Sequence, residues 1–352
     1  MSAAKEFYLP SLDGLRAFAA LIVFASHAGM GHVIPGGFGV TVFFFLSGYL
    51  ITTLLRRELE QRGEINFRHF YLRRVYRILP PMYLVLFGIL LLCWSGLIGH
   101  DITSGGLWAQ ILQVTNYYLL YADPDNVVPF TGIFWSLAVE EHFYLLFPML
   151  FIFCMRRWKR QQVAAIFLGL CVLVLAWRCM LVFHFDAEHV RTYLASDTRM
   201  DSLLFGCIMG VWMNPALDTA AFFRSTRANV LLLVGAVALL GFAFVYRDDA
   251  FRQTARYTMQ GIALFPIFWL AVRHPQWPVF RVLNWHPVRT LGVISYVFYL
   301  SHLFWLHCGH LVFGENQIAA SVSGLVLTIA FAHVAHHVVE LPFARLRRKL
   351  HQ

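Results

Sequence analysis

The sequence predicts an all-α bundle of membrane-spanning helices, and three observations predict it. Of 352 residues, 59% are hydrophobic and 13% are charged, whereas a soluble domain carries about 25% charged residues. The apolar residues fall in runs near the roughly 20 residues a membrane helix needs. Lys and Arg gather in alternate connections between those runs, as expected where one face of a membrane protein is basic. The formal charge of +9 is therefore read as a basic membrane face, with no nucleic-acid partner implied.

Ten segments qualify as spans: 12–32, 38–55, 79–97, 133–153, 163–184, 199–213, 228–246, 257–272, 290–312 and 318–340. The first follows a single Lys5 with no small-x-small cleavage site and is expected to be retained. Segment 104–121 is apolar but short, and Asn116 breaks it, so it is expected to be interfacial or re-entrant. With the N-terminus inside, 21 of the 28 Lys and Arg residues fall on the inner side. They include Lys5, Arg56, Arg57, Arg73, Arg74, Arg77, Arg224 and the basic tail from Arg345. The outer side holds four: Arg191, Arg247, Arg252 and Arg256. This asymmetry predicts that both termini are cytoplasmic. No stretch is long and polar enough for a soluble module, so residues 1–352 are expected to form one membrane domain. Six cysteines sit in apolar runs without a CxxC pair and read as buried small hydrophobes.

Two polar groups in the first span stand out. Arg16 and His27 are eleven positions apart, about 16 Å of helical rise and within about 20° of one helix face. Ionisable groups inside a membrane are expensive and usually functional. The plainer alternatives are an Arg16 that reaches the inner interface or pairs with Asp13, and a His27 that is a satisfied packing residue.

Further stretches follow in order: "GGFGVTVFFFLSGYLIT" (36–52), "FRHFYLRRVYRILPPMY" (67–83), "FWSLAVEEHFYLLFP" (134–148), "TRMDSLLFG" (198–206), "ISYVFYLSH" (294–302) and "VELPF" (339–343). Together with "LDGLRA" and His27, the chain resembles the acyltransferase-3 family, membrane-bound enzymes that O-acetylate surface glycans. The resemblance runs nearly end to end. It implies an acyl group taken from cytoplasmic acyl-CoA and delivered to a hydroxyl of an exported or lipid-linked glycan, in the bacterial inner membrane. Arg16 and His27 match the family's arginine–ten residues–histidine motif. Some members carry an extra extracytoplasmic esterase-like domain. None is found in these 352 residues; if the chain acts alone, the membrane domain is expected to carry out the whole transfer.

Each candidate has a role and a plainer alternative. His27 suits a general base toward a sugar hydroxyl or a covalent acyl carrier. Glu140 or Glu141 is a candidate to orient His27 or stabilise its protonated form, or else lines a polar cavity or pairs with Arg178 or Arg199. Arg73, Arg74 and Arg77, with Arg16 at the mouth, suit the phosphates of coenzyme A. The alternative is an ordinary basic cluster. Arg199 and Asp201 are placed at an outer edge, where they contact the acceptor or pair with each other. His302 is a further acceptor contact, or a buried hydrogen-bonded group. Ser47 and Gly48 read as helix-packing residues. His333, His336, His337 and Glu340 have the spacing of a metal site, but a polar seam is preferred and no metal is expected. No tightly bound cofactor is expected either; acetyl-CoA enters as co-substrate, and membrane lipids and the acceptor glycan are the partners. The rival function is a secondary transporter or flippase for a glycolipid or anion, although no repeat supports it. A metal-dependent hydrolase is a distant third.

Overall fold

A computed structural model describes residues 8–219 and 225–350. Lys5 and Arg224, counted above on the basic side, lie outside the described residues. The described residues contain helices and no strand. In order they are α1 (Pro10–Ala25), α2 (Gly36–Arg62), α3 (Phe67–Trp94), α4 (Ser104–Ile111), α5 (Thr115–Tyr121), α6 (Trp135–Arg157), α7 (Arg160–Phe183), α8 (His189–Leu194) and α9 (Ser196–Val211). Then come α10 (Thr226–Val245), α11 (Asp249–Gln253), α12 (Ala255–Arg273), α13 (Pro278–Arg281), α14 (His286–Val293), α15 (Ser295–Phe313), α16 (Gln317–Ala335) and α17 (Leu341–Lys349).

Every segment expected to span is helical. Among the described residues, seven helices are long and apolar enough to cross a membrane, or eight if α14 and α15, bent by 77°, count as one span. α9 is 16 residues long and buried along nearly all its length, a core element shorter than those seven helices. Segment 104–121 is two helices of 8 and 7 residues, broken where Gln113 takes a φ of 59°. Neither half can cross. Asn116 is fully buried and donates to the Leu194 carbonyl and Ser196 Oγ, which pins the pair to the start of α9.

Two boundaries move for a physical reason. α2 and α3 run well past their apolar runs, because a continuous helix satisfies its own backbone hydrogen bonds whether or not its last turns are apolar. The arginines placed in an inner loop are therefore helical. Arg56 is 2% exposed, donating to Asp218 and Glu60 and to the Gly210 and Val211 carbonyls. Burial alone would raise the Asp218 pKa, but the hydrogen bonds and charge of Arg56, the Asn214 N–H and the charge of Arg160 together outweigh it and hold the carboxyl below its ordinary value.

α2 and α9 cross at glycines. A Cβ on Gly48 would stand 1.9 Å from the Leu203 carbonyl oxygen, and one on Gly206 would stand 2.0 Å from that of Phe45. Small residues let backbones approach this closely where no water drives the helices together. α1 runs antiparallel to α2: the Gly39 side faces Ala19 and Val23, and the Gly36 side faces Ser26. His27 and the start of α2 thus share one end of the bundle. Arg16 lies away from that end, near Tyr144, which bonds Ser47 in the middle of α2.

Four of the six cysteines are buried and none forms a disulfide; Cys179 and Cys308 are half-exposed.

Candidate active site

α1 ends in a single π-helical turn, Ser26–Met30, closed by Gly29 with a φ of 92°. Turns of this kind often mark functional positions. Gln317 Nε2 and Ser321 Oγ donate to the Ala28 carbonyl at 2.9 and 3.3 Å, so the start of α16 fixes the turn. His27 projects from it and is exposed.

Its neighbour is His302 on α15, which is fully buried. His302 Nε2 lies 3.0 Å from His27 Nδ1, and His302 Nδ1 lies 2.6 Å from the Tyr299 carbonyl oxygen. A carbonyl only accepts, so His302 Nδ1 carries the proton. Neutral His302 then offers a lone pair at Nε2, and His27 Nδ1–H donates to it. That leaves His27 Nε2 with its lone pair free. The tautomer of the exposed histidine is set by a carbonyl two hydrogen bonds away.

The ring borders a cavity of about 160 Å³ lined by Val23, Ser26, His27, Gly36, Gly37, Val40, Ile133, Trp135, Tyr193 and Tyr299. The Tyr299 hydroxyl is held by Ser136 Oγ at 2.8 Å and donates to the Ile133 carbonyl at 3.1 Å. Trp135 and Tyr193 meet with ring centroids 4.8 Å apart. A second, apolar groove of about 340 Å³ between α6, α7 and α9 carries only Asp197 as a charged lining group.

The remaining candidates form a separate polar cluster. Ser47 Oγ donates to Glu140 Oε1 at 3.0 Å, and the Tyr144 hydroxyl lies 2.8 Å from Ser47 Oγ and 3.0 Å from Glu140 Oε2. The Arg74 guanidinium stacks 4.8 Å over the Tyr144 ring. Arg16 donates to Asp13 Oδ1 at 3.0 Å and is within electrostatic reach of Arg77 and Tyr144. Arg73 turns away and pairs with Glu58 at 2.9 Å. Glu141 Oε1 is buried with no hydrogen-bond partner among the described residues.

Set against the expectations, the structure brings Arg16, Arg74 and Arg77 together and places Glu140 beside them. Four corrections follow. The hydrogen bonds of Glu140 run to Ser47 and Tyr144, not to His27; Glu140 lies five residues down α6 from the cavity wall at Trp135. His302, expected among the acceptor contacts, holds His27 instead. Arg199 and Asp201 sit at no edge: both are fully buried, and Asp201 is gripped by Arg178 at 2.9 and 2.6 Å. Arg73 is engaged by Glu58. Near the C-terminus, His336 Nδ1 lies 2.5 Å from Glu340 Oε2 and His337 Nδ1 lies 2.9 Å from the His333 carbonyl oxygen. No group of three or more His, Cys, Asp or Glu is placed to hold a metal ion among the described residues.

Sequence reasoning missed the cavity wall. Trp135, Tyr193 and Tyr299 lay inside the quoted motifs or their flanks, and their aromatic character was the available signal. The pairing of His27 with His302 joins helices 275 positions apart, so no local spacing carries it.

This arrangement defines a helical membrane protein with an exposed histidine at one end and an arginine cluster toward the other. A family model described as an acyltransferase domain matches residues 9–337, and the chain belongs to the acyltransferase-3 family. It is 30% identical over 359 residues to a "Putative O-acetyltransferase" of Staphylococcus aureus strain COL, covering 97% of this chain and 58% of the relative. It is 29% identical over 355 residues to "Putative peptidoglycan O-acetyltransferase YrhL" of Bacillus subtilis strain 168, covering 95% and 55%. It is 29% identical over 356 residues to "O-acetyltransferase OatA" of Staphylococcus aureus strain NCTC 8325, covering 96% and 57%. The chain thus spans a little over half the length of these relatives. No solved structure matches it.

Proposed function

We propose that the chain is an integral-membrane O-acetyltransferase that moves an acetyl group from acetyl-CoA to a hydroxyl of a glycan, with His27 as general base. The observation that carries this reading is the free lone pair on His27 Nε2, fixed by His302 and opening on a cavity. The polar groups around that cavity are the ring of His27 and the hydroxyls of Ser26, Tyr193 and Tyr299. Among them, histidine is the group whose ordinary pKa, near 6.5, suits proton transfer at neutral pH.

The step balances as follows. The acceptor hydroxyl attacks the thioester carbonyl, and its proton passes to His27 Nε2. The C–S bond breaks, and the thiolate takes the proton back, leaving an ester and a free thiol. His27 Nδ1–H keeps its hydrogen bond to His302 throughout, so His302 steadies the imidazolium that forms. A covalent acyl-histidine would occupy the same Nε2 and leave the acceptor without a base, so the base role is preferred.

Arg16, Arg74 and Arg77 form the donor end in this reading. Guanidinium forks suit the phosphates of coenzyme A. The rise of about 16 Å between Arg16 and His27 is a distance that an extended pantetheine arm bridges. The basic end then faces the cytoplasm and the His27 end faces outward, with both termini inside a bacterial inner membrane. On this topology all ten helical segments count as crossings, α9 and α12 being held by neighbours instead of lipid.

The test is acetyl transfer from labelled acetyl-CoA to glycan, in membranes holding the wild-type chain or His27→Ala at equal expression. Transfer by the wild type alone, with no label on the protein after a rapid cold quench at neutral pH in the absence of acceptor, supports a base. Label trapped on the wild-type protein supports the carrier. Substrate movement without thiol release supports a transporter.

A further inference from the structure

Behind the Trp135–Tyr193 wall lies an excess of positive charge. Arg199 is fully buried. Its guanidinium stands 4.1 Å from the Tyr257 ring, 5.4 Å from Tyr193, 5.5 Å from Phe44 and 5.9 Å from Trp135. It donates to Thr41 Oγ1 at 3.0 Å, while its Nε and Nη1 are buried with no hydrogen-bond partner among the described residues. Asp201 is within its electrostatic reach, but both Asp201 oxygens are taken by Arg178. Arg256 lies 5.5 Å from the Tyr257 ring, and its Nε is also buried and unpartnered among the described residues.

Arg256 lies beside a wall residue of the same cavity, within electrostatic reach of Tyr193 and of His189, which stacks on it. Tyr193, on the cavity wall, feels both Arg199 and Arg256. His189 stacks on Tyr193 with centroids 5.7 Å apart and is exposed. Thr192 donates to Gln253 at 3.4 Å, which ties α8 to the turn that leads into Arg256. Arg252 in that turn is partly answered by Asp249 at 3.4 Å; among the described residues, Arg199 and Arg256 form no ion pair with a carboxylate.

Cations held without a counter-charge in a low-dielectric region are unfavourable. Stacking on rings returns only about 0.5–2 kcal/mol per pair. An arrangement of this kind is completed by an anion. A sugar ring fits the remaining wall, because flat aromatic faces such as those of Trp and Tyr offer large apolar contact with a polar edge.

We propose that Arg256, at the edge of the Trp135–Tyr193 wall, forms a subsite for an acidic group, a carboxylate or a phosphate, on the acceptor glycan. Arg199 reinforces it from behind the rings without touching the ligand. The assignment deepens the acetyltransferase reading, since it takes the His27 cavity as the acceptor site.

The test is binding, measured apart from transfer. The purified chain in lipid nanodiscs is titrated with a dextran oligosaccharide, its carboxymethyl derivative and its phosphate ester, at low and high salt. The wild type is expected to bind at least one acidic form tenfold or more tighter than the neutral form, with the preference shrinking at high salt. Which acidic form binds identifies the acid. Arg256→Gln is expected to abolish the preference and Arg256→Lys to keep most of it, with unchanged thermal midpoints showing that both variants fold. His189→Gln serves as a second variant and is expected to weaken all three forms alike through the lost stacking. Equal binding of the three oligosaccharides, no binding by any acidic form, or a preference that survives Arg256→Gln overturns the subsite. Acid-selective binding without acetyl transfer from acetyl-CoA leaves the subsite standing and counts against the acetyltransferase reading.

Discussion

The proposed chemistry rests on two imidazole rings. In that proposal the Tyr299 carbonyl fixes one proton, His302 relays the choice, and His27 Nε2 is left to accept a proton from a hydroxyl. General-base catalysis is worth about 10²–10⁴-fold, so His27→Ala should lower acetyl transfer by that factor with little change in expression. His302 acts only through His27, and a different signature follows. His302→Gln, whose side-chain oxygen can still accept from Nδ1–H, should keep more activity than His302→Leu. The loss should fall on kcat with the KM for acetyl-CoA unchanged. Protonation of His27 removes the lone pair, so the wild-type rate should rise with pH through one ionisation in the histidine range and then level off. A profile in which the rate falls over that range would exclude His27 as base. Arg16 and His27 were legible in the sequence because two costly groups on one face of an apolar run are conspicuous. His302 was visible as a buried polar group, but its partner was not, since the contact depends on how α15 packs against α1.

Helix packing makes the site rigid, and some of it runs through buried charge. Arg178 and Asp201 are both fully buried. Removing one partner of such a pair is strongly destabilising, about 3–5 kcal/mol. Asp201→Asn should therefore lower the thermal midpoint sharply, and Arg178→Met combined with Asp201→Leu should recover much of the loss. The sequence offered the acidic and basic residues of "TRMDS" as neighbours on an outer edge. It gave no sign that α9 is a core element, because a short apolar helix reads alike whether lipid or protein surrounds it. The glycines were more legible. Gly48 and Gly206 lie where α2 and α9 touch, and Gly48→Leu should abolish folded protein, as read by detergent gel filtration, because a Cβ has no room at 1.9 Å.

At the scale of the whole molecule, the two ends differ in charge and in contents. The hydrophobic runs and the alternation of basic connections announced a helical membrane bundle. They placed every long helix to within a few residues at its apolar end. They were less accurate at the polar ends, because arginines such as Arg56 and Arg74 continue the helices and are buried by neighbours instead of lying in loops. If the Arg16–Arg74–Arg77 end binds the donor, Arg77→Gln should raise the KM for acetyl-CoA several-fold and leave acceptor binding unchanged. Arg73→Gln, already engaged by Glu58, should change it little. An equal effect of the two variants would count against a donor site there.

The most direct measurement follows labelled acetyl from acetyl-CoA into glycan, in membranes carrying the wild-type chain or His27→Ala at matched expression. The account predicts labelled glycan and free thiol in equal amounts from the wild type, with both at least about 10²-fold lower in the variant. Equal labelling by the two chains would contradict the central claim that His27 Nε2 takes the acceptor's proton.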